Sequence, residues 1–259
     1  MDFECDWTKT KACIFRNYLP NGGYNGSGYF HEIKEFDRVD LQTLLGLEAE
    51  IIKLDKNTQA FCAGKIASNV LIWGARGCGK SSMVKGVFAK YLYGVDSPLR
   101  VIEVEKKDIG ILPVLIDDLR GRAFKFVIYC DDLSFEAGDR SYKALKSVLE
   151  GSLEKKPDNV LVYATSNRRH LVAESEEVSE IHQNDVFDEL ISLSDRFGLS
   201  MGVYALGAAE YLEIVRRLCG SEEEFLAIKL QALNYAGLKG NRSGRSAREF
   251  YKLYQNGIV

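Results

Sequence analysis

Eight consecutive residues, Gly74-Ala75-Arg76-Gly77-Cys78-Gly79-Lys80-Ser81, fix most of what this chain can fold into. They fit G-x-x-x-x-G-K-[ST], and they stand between a short β-rich run, Asn69–Trp73, and a segment of helical pattern, Ser81–Tyr93. Glycines let the backbone curl until successive N–H groups point at one centre, and a helix start adds the positive end of its dipole. A nest of that kind suits a phosphate chain. Lys80 is then expected to reach the β- and γ-phosphates and the Ser81 hydroxyl to coordinate Mg²⁺, with Ser82 counted among the nucleotide-binding residues. By average residue usage the pattern arises by chance in about one chain in a hundred of this length. The strand–loop–helix context further disfavours the bland reading, a glycine-rich turn.

A second run, Phe124-Lys125-Phe126-Val127-Ile128-Tyr129-Cys130-Asp131-Asp132, has the form of a buried strand ending in paired acids, the Walker B pattern. It delivers Asp131 to the second shell of the metal and Asp132 toward an attacking water. Asp132 is one methylene shorter than the glutamate usual at that place, and nearby Glu136 is a second candidate for the base. A third strand, starting at Asn159, ends in Ala164-Thr165-Ser166-Asn167, where Asn167 either senses the γ-phosphate and its water or caps a helix. Arg196, in Ser-Leu-Ser-Asp-Arg-Phe-Gly, and Arg245, in Gly-Arg-Ser-Ala-Arg, are each either catalytic cations or surface ion-pair partners.

Between these motifs, β-rich runs at 69–73, 99–104, 124–130, 159–164 and 199–204 alternate with helical patterns at 81–93, 108–119 and 139–153. Strands separated by helices of that length predict a parallel sheet covered on both faces. Apolar positions from Leu41 to Leu54 recur at helical spacing behind a cap at Asp40. After residue 206 the strands stop and three helices are expected, at 208–219, 221–236 and 246–254. The expected organisation is an irregular N-terminal segment over 1–37, an α/β nucleotide core over 38–206, and a helical lid over 207–259.

The order of P-loop, Walker B, asparagine sensor, edge arginine and lid arginine resembles the AAA+ superfamily. More closely, Asn69–Ser82, Cys130–Glu136, Ala164–Leu171 and Ser192–Leu199 resemble a bacterial P-loop ATPase family filed as a domain of unknown function (DUF815). The resemblance covers about residues 38–255. It implies a five-stranded parallel sheet in the order 5-1-4-3-2 with a C-terminal helical lid. It makes Asn167 sensor 1, Arg196 an arginine finger and Arg245 sensor 2, and it places Leu45 and Gly46 against adenine. It implies ATP with Mg²⁺, and a head-to-tail ring or spiral acting on an unknown macromolecular client. A weakly hydrolysing ATP switch and a small-molecule kinase are the competing readings, the kinase being disfavoured by the lid arginine.

Composition narrows the rest. The net charge of −3 does not favour nucleic acid as the client, although Lys239, Arg242, Arg245 and Arg248 form a local basic cluster. The six cysteines have no zinc spacing and read as reduced, which with the lack of a signal-peptide core predicts a cytoplasmic protein. No stretch approaches the roughly 18 apolar residues of a membrane span. His31, His170 and His182 have no ligand spacing. The acidic run from Glu174 to Glu189 reads as a solvated loop and helix, with a partner surface as the alternative.

Overall fold

The computed structural model describes residues 4–17, 28–135, 139, 141–151, 153–169, 171 and 192–259. Seven strands form one mixed sheet: β1 (Ala12–Asn17), β2 (Gly28–Glu32), β3 (Val70–Gly74), β4 (Leu99–Glu103), β5 (Lys125–Cys130), β6 (Val160–Ser166) and β7 (Leu199–Val203). Their spatial order is β2-β1-β4-β5-β6-β3-β7. The expectation of five strands, all parallel, is therefore corrected. Strands β3 to β7 are parallel and lie as β7-β3-β6-β5-β4, while β1 joins the β4 edge in parallel and β2 pairs antiparallel outside it.

The two extra strands also replace the irregular segment expected over 1–37. Trp7 explains why they stay. Its ring packs edge-on at 5.3 Å from Phe30 and 5.0 Å from Phe126, and its carbonyl accepts a 2.6 Å hydrogen bond from Arg100 Nε. The first strand thus skips to a partner some ninety residues later, a pairing that local pattern does not report.

Helices cover the sheet: α1 (Glu48–Cys62), α2 (Lys80–Leu92), α3 (Leu112–Leu119) and α4 (Tyr142–Glu150), followed by α5 (Ala208–Leu218), α6 (Glu222–Leu238) and α7 (Gly244–Gln255). The helix expected from residue 41 is divided. Asp40 caps only a 3-10 turn, Leu41–Thr43, accepting a 3.0 Å bond from Gln42 N, and α1 starts after Gly46, whose φ is +75°. Likewise 108–119 opens as a 3-10 turn at Lys106–Ile111 and becomes α-helical at Leu112, where Pro113 stands in the first turn.

Strand β5 shows how the core is shared between the two faces. Phe126, Ile128 and Cys130 enter a cluster with α3 and α4, whereas Val127 and Tyr129 enter another with α1 and α2. Helices α5, α6 and α7 pack on one another around Tyr211, Phe225, Ile228, Ala247 and Phe250, a third cluster of their own. Side-chain caps at Ser221 and Ser243 open α6 and α7, accepting from the amides of Glu224 at 3.1 Å and Ser246 at 3.2 Å. No helix among the described residues is long and apolar enough to cross a membrane.

Candidate functional site

The loop between β3 and α2 is built from glycines that no other residue could replace without movement. Gly74 has φ +142°, and a Cβ there would sit 1.8 Å from the carbonyl oxygen of Val203 on the neighbouring strand. Gly77, at φ +77°, faces the start of α7, where a Cβ would meet Ser243 Oγ at 3.0 Å and Arg245 Cβ at 3.4 Å. The side chain of Asn241 completes that closure by donating a 2.9 Å bond to the Arg76 carbonyl. The P-loop is thus clasped from above by the last helix.

Lys80, the first residue of α2, is buried. Its ammonium donates to the carbonyls of Gly74 at 2.8 Å and Ala75 at 2.9 Å and to Asn167 Oδ1 at 3.0 Å. Burial holds its pKa below the ordinary lysine value, and the nearby Cys78, Asp132 and Asp131 oppose that shift. A buried cation held by three oxygens is poised to exchange them for the stronger acceptors of a phosphate.

The carboxylate of Asp131, just past the end of β5, collects three hydroxyl donors on Oδ1: Ser81 at 2.7 Å, Tyr129 at 2.7 Å, and Thr165. Burial, then the Asp131 charge, pushes the Tyr129 phenol well above its usual pKa, so it stays a donor. Asp132 stands at φ +51°, its backbone N–H bonded to Thr165 Oγ1 at 2.9 Å and its side chain accepting from Asn167 Nδ2. Thr165 therefore holds both acids of the pair, and Asn167 touches both Lys80 and Asp132. Sequence reading passed over Tyr129 and Thr165, though Thr165 lies inside the quoted Ala-Thr-Ser-Asn run.

These groups open onto a cleft of about 540 Å³ between the C-terminal ends of β3, β5 and β6 and the C-terminal helices, a size that suits a nucleotide-sized ligand. Arg76, Gly77, Cys78, Gly79, Lys80, Ser81, Ser82, Asp131, Asp132, Asn167, Arg245 and Leu45 of the expected set line it. Leu44, Leu47, Leu206 and Ile214 add an apolar end, and Arg248 adds a second arginine one turn beyond Arg245.

Four expected residues lie off the wall of the cleft. Gly74 and Ala75 serve it through their carbonyls, and Gly46 lies behind it with its N–H on Glu48 Oε1 at 3.1 Å. Arg196 pairs with Glu150 at the end of α4 and also donates to the carbonyl and hydroxyl of Ser192. Glu136, His170, His182 and the acidic run 174–189 fall outside the described residues.

A family profile described as "Protein of unknown function (DUF815)" matches residues 19–258. The chain belongs to the DUF815 family. No curated protein matches this DUF815 chain. Among solved structures, the Aeropyrum pernix Orc1 protein in complex with DNA superposes with a TM-score of 0.54 at 14% identity, over 80% of this chain and 59% of that one. A variant of Thermotoga maritima RuvB gives 0.44 at 16% identity, over 83% and 71%. The RuvB Holliday junction branch migration motor of the same organism gives 0.41 at 13%, over 80% and 69%. The Orc1 likeness shows a shared α/β fold and nothing further.

All six cysteines are free, and among the described residues no group of three or more His, Cys, Asp or Glu is arranged to hold a metal. The oxygen pair that could hold one is Ser81 Oγ with Asp131 Oδ1. Two hard oxygen donors that leave other positions to water and phosphate suit Mg²⁺.

Proposed function

We propose that this DUF815 protein is a cytoplasmic, Mg²⁺-dependent ATPase of the AAA+ type that works from a head-to-tail assembly on a macromolecular client. The observation that carries the reading is the meeting of Lys80, Ser81, Asp131, Asp132 and Asn167 in one cleft rimmed by Arg76, Arg245 and Arg248. None of those three arginines makes an ion pair among the described residues. With Lys80 they outnumber the two carboxylates of the cleft, Asp131 and Asp132, and such an excess of cations around amide donors favours a polyanion.

In this reading the P-loop amides and Lys80 take the β- and γ-phosphates, and Arg245 and Arg248 approach them from α7. Leu44, Leu45, Leu47, Leu206 and Ile214 take the base. Ser81 and Asp131 would hold Mg²⁺, which would neutralise charge on the phosphate oxygens. Asn167 and Asp132 orient a water on the γ-phosphorus. The water oxygen forms the new P–O bond as its proton passes to Asp132, and the bond to the β-phosphate oxygen breaks to leave ADP. A positioned base contributes typically 10²–10⁴-fold. Residues 38–206 form the nucleotide core and 207–259 the lid, with β1 and β2 as an added edge.

Arg196 faces Glu150 rather than the cleft of its own chain. It is assigned to the γ-phosphate of a neighbouring subunit, an arrangement that head-to-tail packing permits. The Asn167–Asp132 hydrogen bond favours one competing reading, a switch that binds ATP and hydrolyses it slowly, because it engages the acid that would otherwise take the proton.

Steady-state ATP turnover measured against protein concentration tests the proposal. Specific activity should rise with concentration and vanish in Asp132→Asn. A rate independent of concentration and indifferent to Asp132→Asn contradicts it, and tight binding with negligible turnover at all concentrations selects the switch.

A further inference from the structure

A second cavity, of about 530 Å³, opens between α2, the end of β2 and the segment 33–37 that follows it. It exists because the N-terminal strands extend the sheet beyond β4, so that this segment folds back over the α2 face. Ile14, Phe36, Phe88 and Val101 give it apolar walls, and Glu103 projects into it from the end of β4. Tyr129 lines the same cavity while donating its hydroxyl to Asp131 of the nucleotide cleft.

The Glu103 carboxylate is the feature that none of the chemistry above uses. It is half-buried, and among the described residues no hydrogen bond or ion pair satisfies it. Burial, then the field of Asp131, raises its pKa, as expected of an acid that has lost water without gaining a donor. Lys85, the cation acting on it most, is already paired with Asp37 at 2.8 Å. Around the rim, Glu32 and Glu35 outnumber the remaining lysine, Lys34. The balance of charge at the cavity is negative.

We propose that this cavity binds a small organic cation, a guanidinium or ammonium group on an aliphatic stem, with its N–H groups on Glu103 and its stem against Phe36, Phe88 and Val101. A guanidinium fits best, since its two parallel N–H groups match both oxygens of one carboxylate. The site is separate from the P-loop, so it stands or falls independently of the ATPase reading.

The test titrates the full-length protein with n-butylguanidinium, n-butylammonium and n-butyrate, following the Ile14, Ile33 and Val101 methyl resonances. Both cations should saturate at or below about 10 mM, the weak end for ligands of this size, and butyrate should not. Glu103→Gln should weaken the cations at least about tenfold. Phe36→Ala, which keeps the charge, should weaken them too. Lys80→Ala should leave them unchanged, and loss of ATP binding there with cation binding intact separates the two sites. The peptide acetyl-Gly-Arg-Gly-amide identifies the source: tighter binding than butylguanidinium assigns a partner's arginine, and weaker binding a free amine. Butyrate binding as tightly as the cations, no saturation, or an unaffected Glu103→Gln protein would overturn the proposal.

Discussion

The ammonium of Lys80 and the side-chain oxygen of Asn167, 87 residues apart in sequence, meet at 3.0 Å. The amide group of the same asparagine donates to Asp132. One side chain thus joins the lysine proposed to hold phosphate to the proposed base. Asn167→Ala should therefore lower kcat by about 10²-fold while changing ATP affinity little. Single-turnover and equilibrium binding measurements separate the two effects. Equal losses in binding and turnover would make Asn167 a binding residue instead.

Thr165 has one hydroxyl for two tasks, donating to Asp131 and accepting from the Asp132 amide. Thr165→Val keeps the volume and leaves that amide unpaired, which should cost about 1–3 kcal/mol in urea unfolding and raise the Mg²⁺ concentration needed for activity. Thr165→Ser should restore both. A valine variant of unchanged stability and Mg²⁺ dependence would remove Thr165 from the site.

Gly74→Ala forces a Cβ to within 1.8 Å of a strand carbonyl at a backbone angle that L-residues rarely adopt. A loss of roughly 3 kcal/mol or more is expected, read as a large drop in the unfolding midpoint. An alanine variant of wild-type stability would mean that β3 and β7 are not packed as described.

Arg196→Ala should abolish turnover without affecting ATP binding. Mixing it with Lys80→Ala protein should restore activity, since each supplies what the other lacks. Glu150→Gln removes the partner of Arg196 and controls for a purely structural effect. If it reproduces the full loss, the ion pair and not an arginine finger is what matters.

Alkali should destabilise the fold. Burial pushes the Cys130 thiol to about 12 from 9.0, and the Tyr163 and Tyr211 phenols to about 12 from 10.0. For each group the unfolded chain loses its proton first. The stability is therefore complete below the ordinary value and is lost as pH rises from there toward 12. Lys80 and Arg100, whose pKa values burial lowers, pull the other way. The urea midpoint should fall between pH 8.5 and 10.5, as a rough window set by those values, and Cys130→Ala should flatten the fall.

Much of this was legible in the sequence because the signals were local. The P-loop, the apolar strand ending in Asp131-Asp132, and the three C-terminal helices each announce themselves within a dozen residues. What escaped depends on distance along the chain. Strand β1 finds β4 through Trp7, Phe126 and Arg100, and no local pattern of Ala12–Asn17 points there. Tyr129 and Thr165 read as ordinary strand residues until the fold brings Asp131 between them. Helix α1 starts late because Gly46 turns left-handed, a preference that apolar spacing cannot express.

Equilibrium binding of ATP with Mg²⁺ to the wild-type chain and to Lys80→Ala tests the central claim most directly. Calorimetry should give saturable, Mg²⁺-dependent binding to the wild type and at least about a hundredfold weaker binding to the variant, as loss of a desolvated charged contact to phosphate implies. The circular dichroism spectra should coincide, because the glycine loop folds without the lysine. Equal affinity in both proteins, with the fold intact, would contradict the assignment of this cleft to ATP.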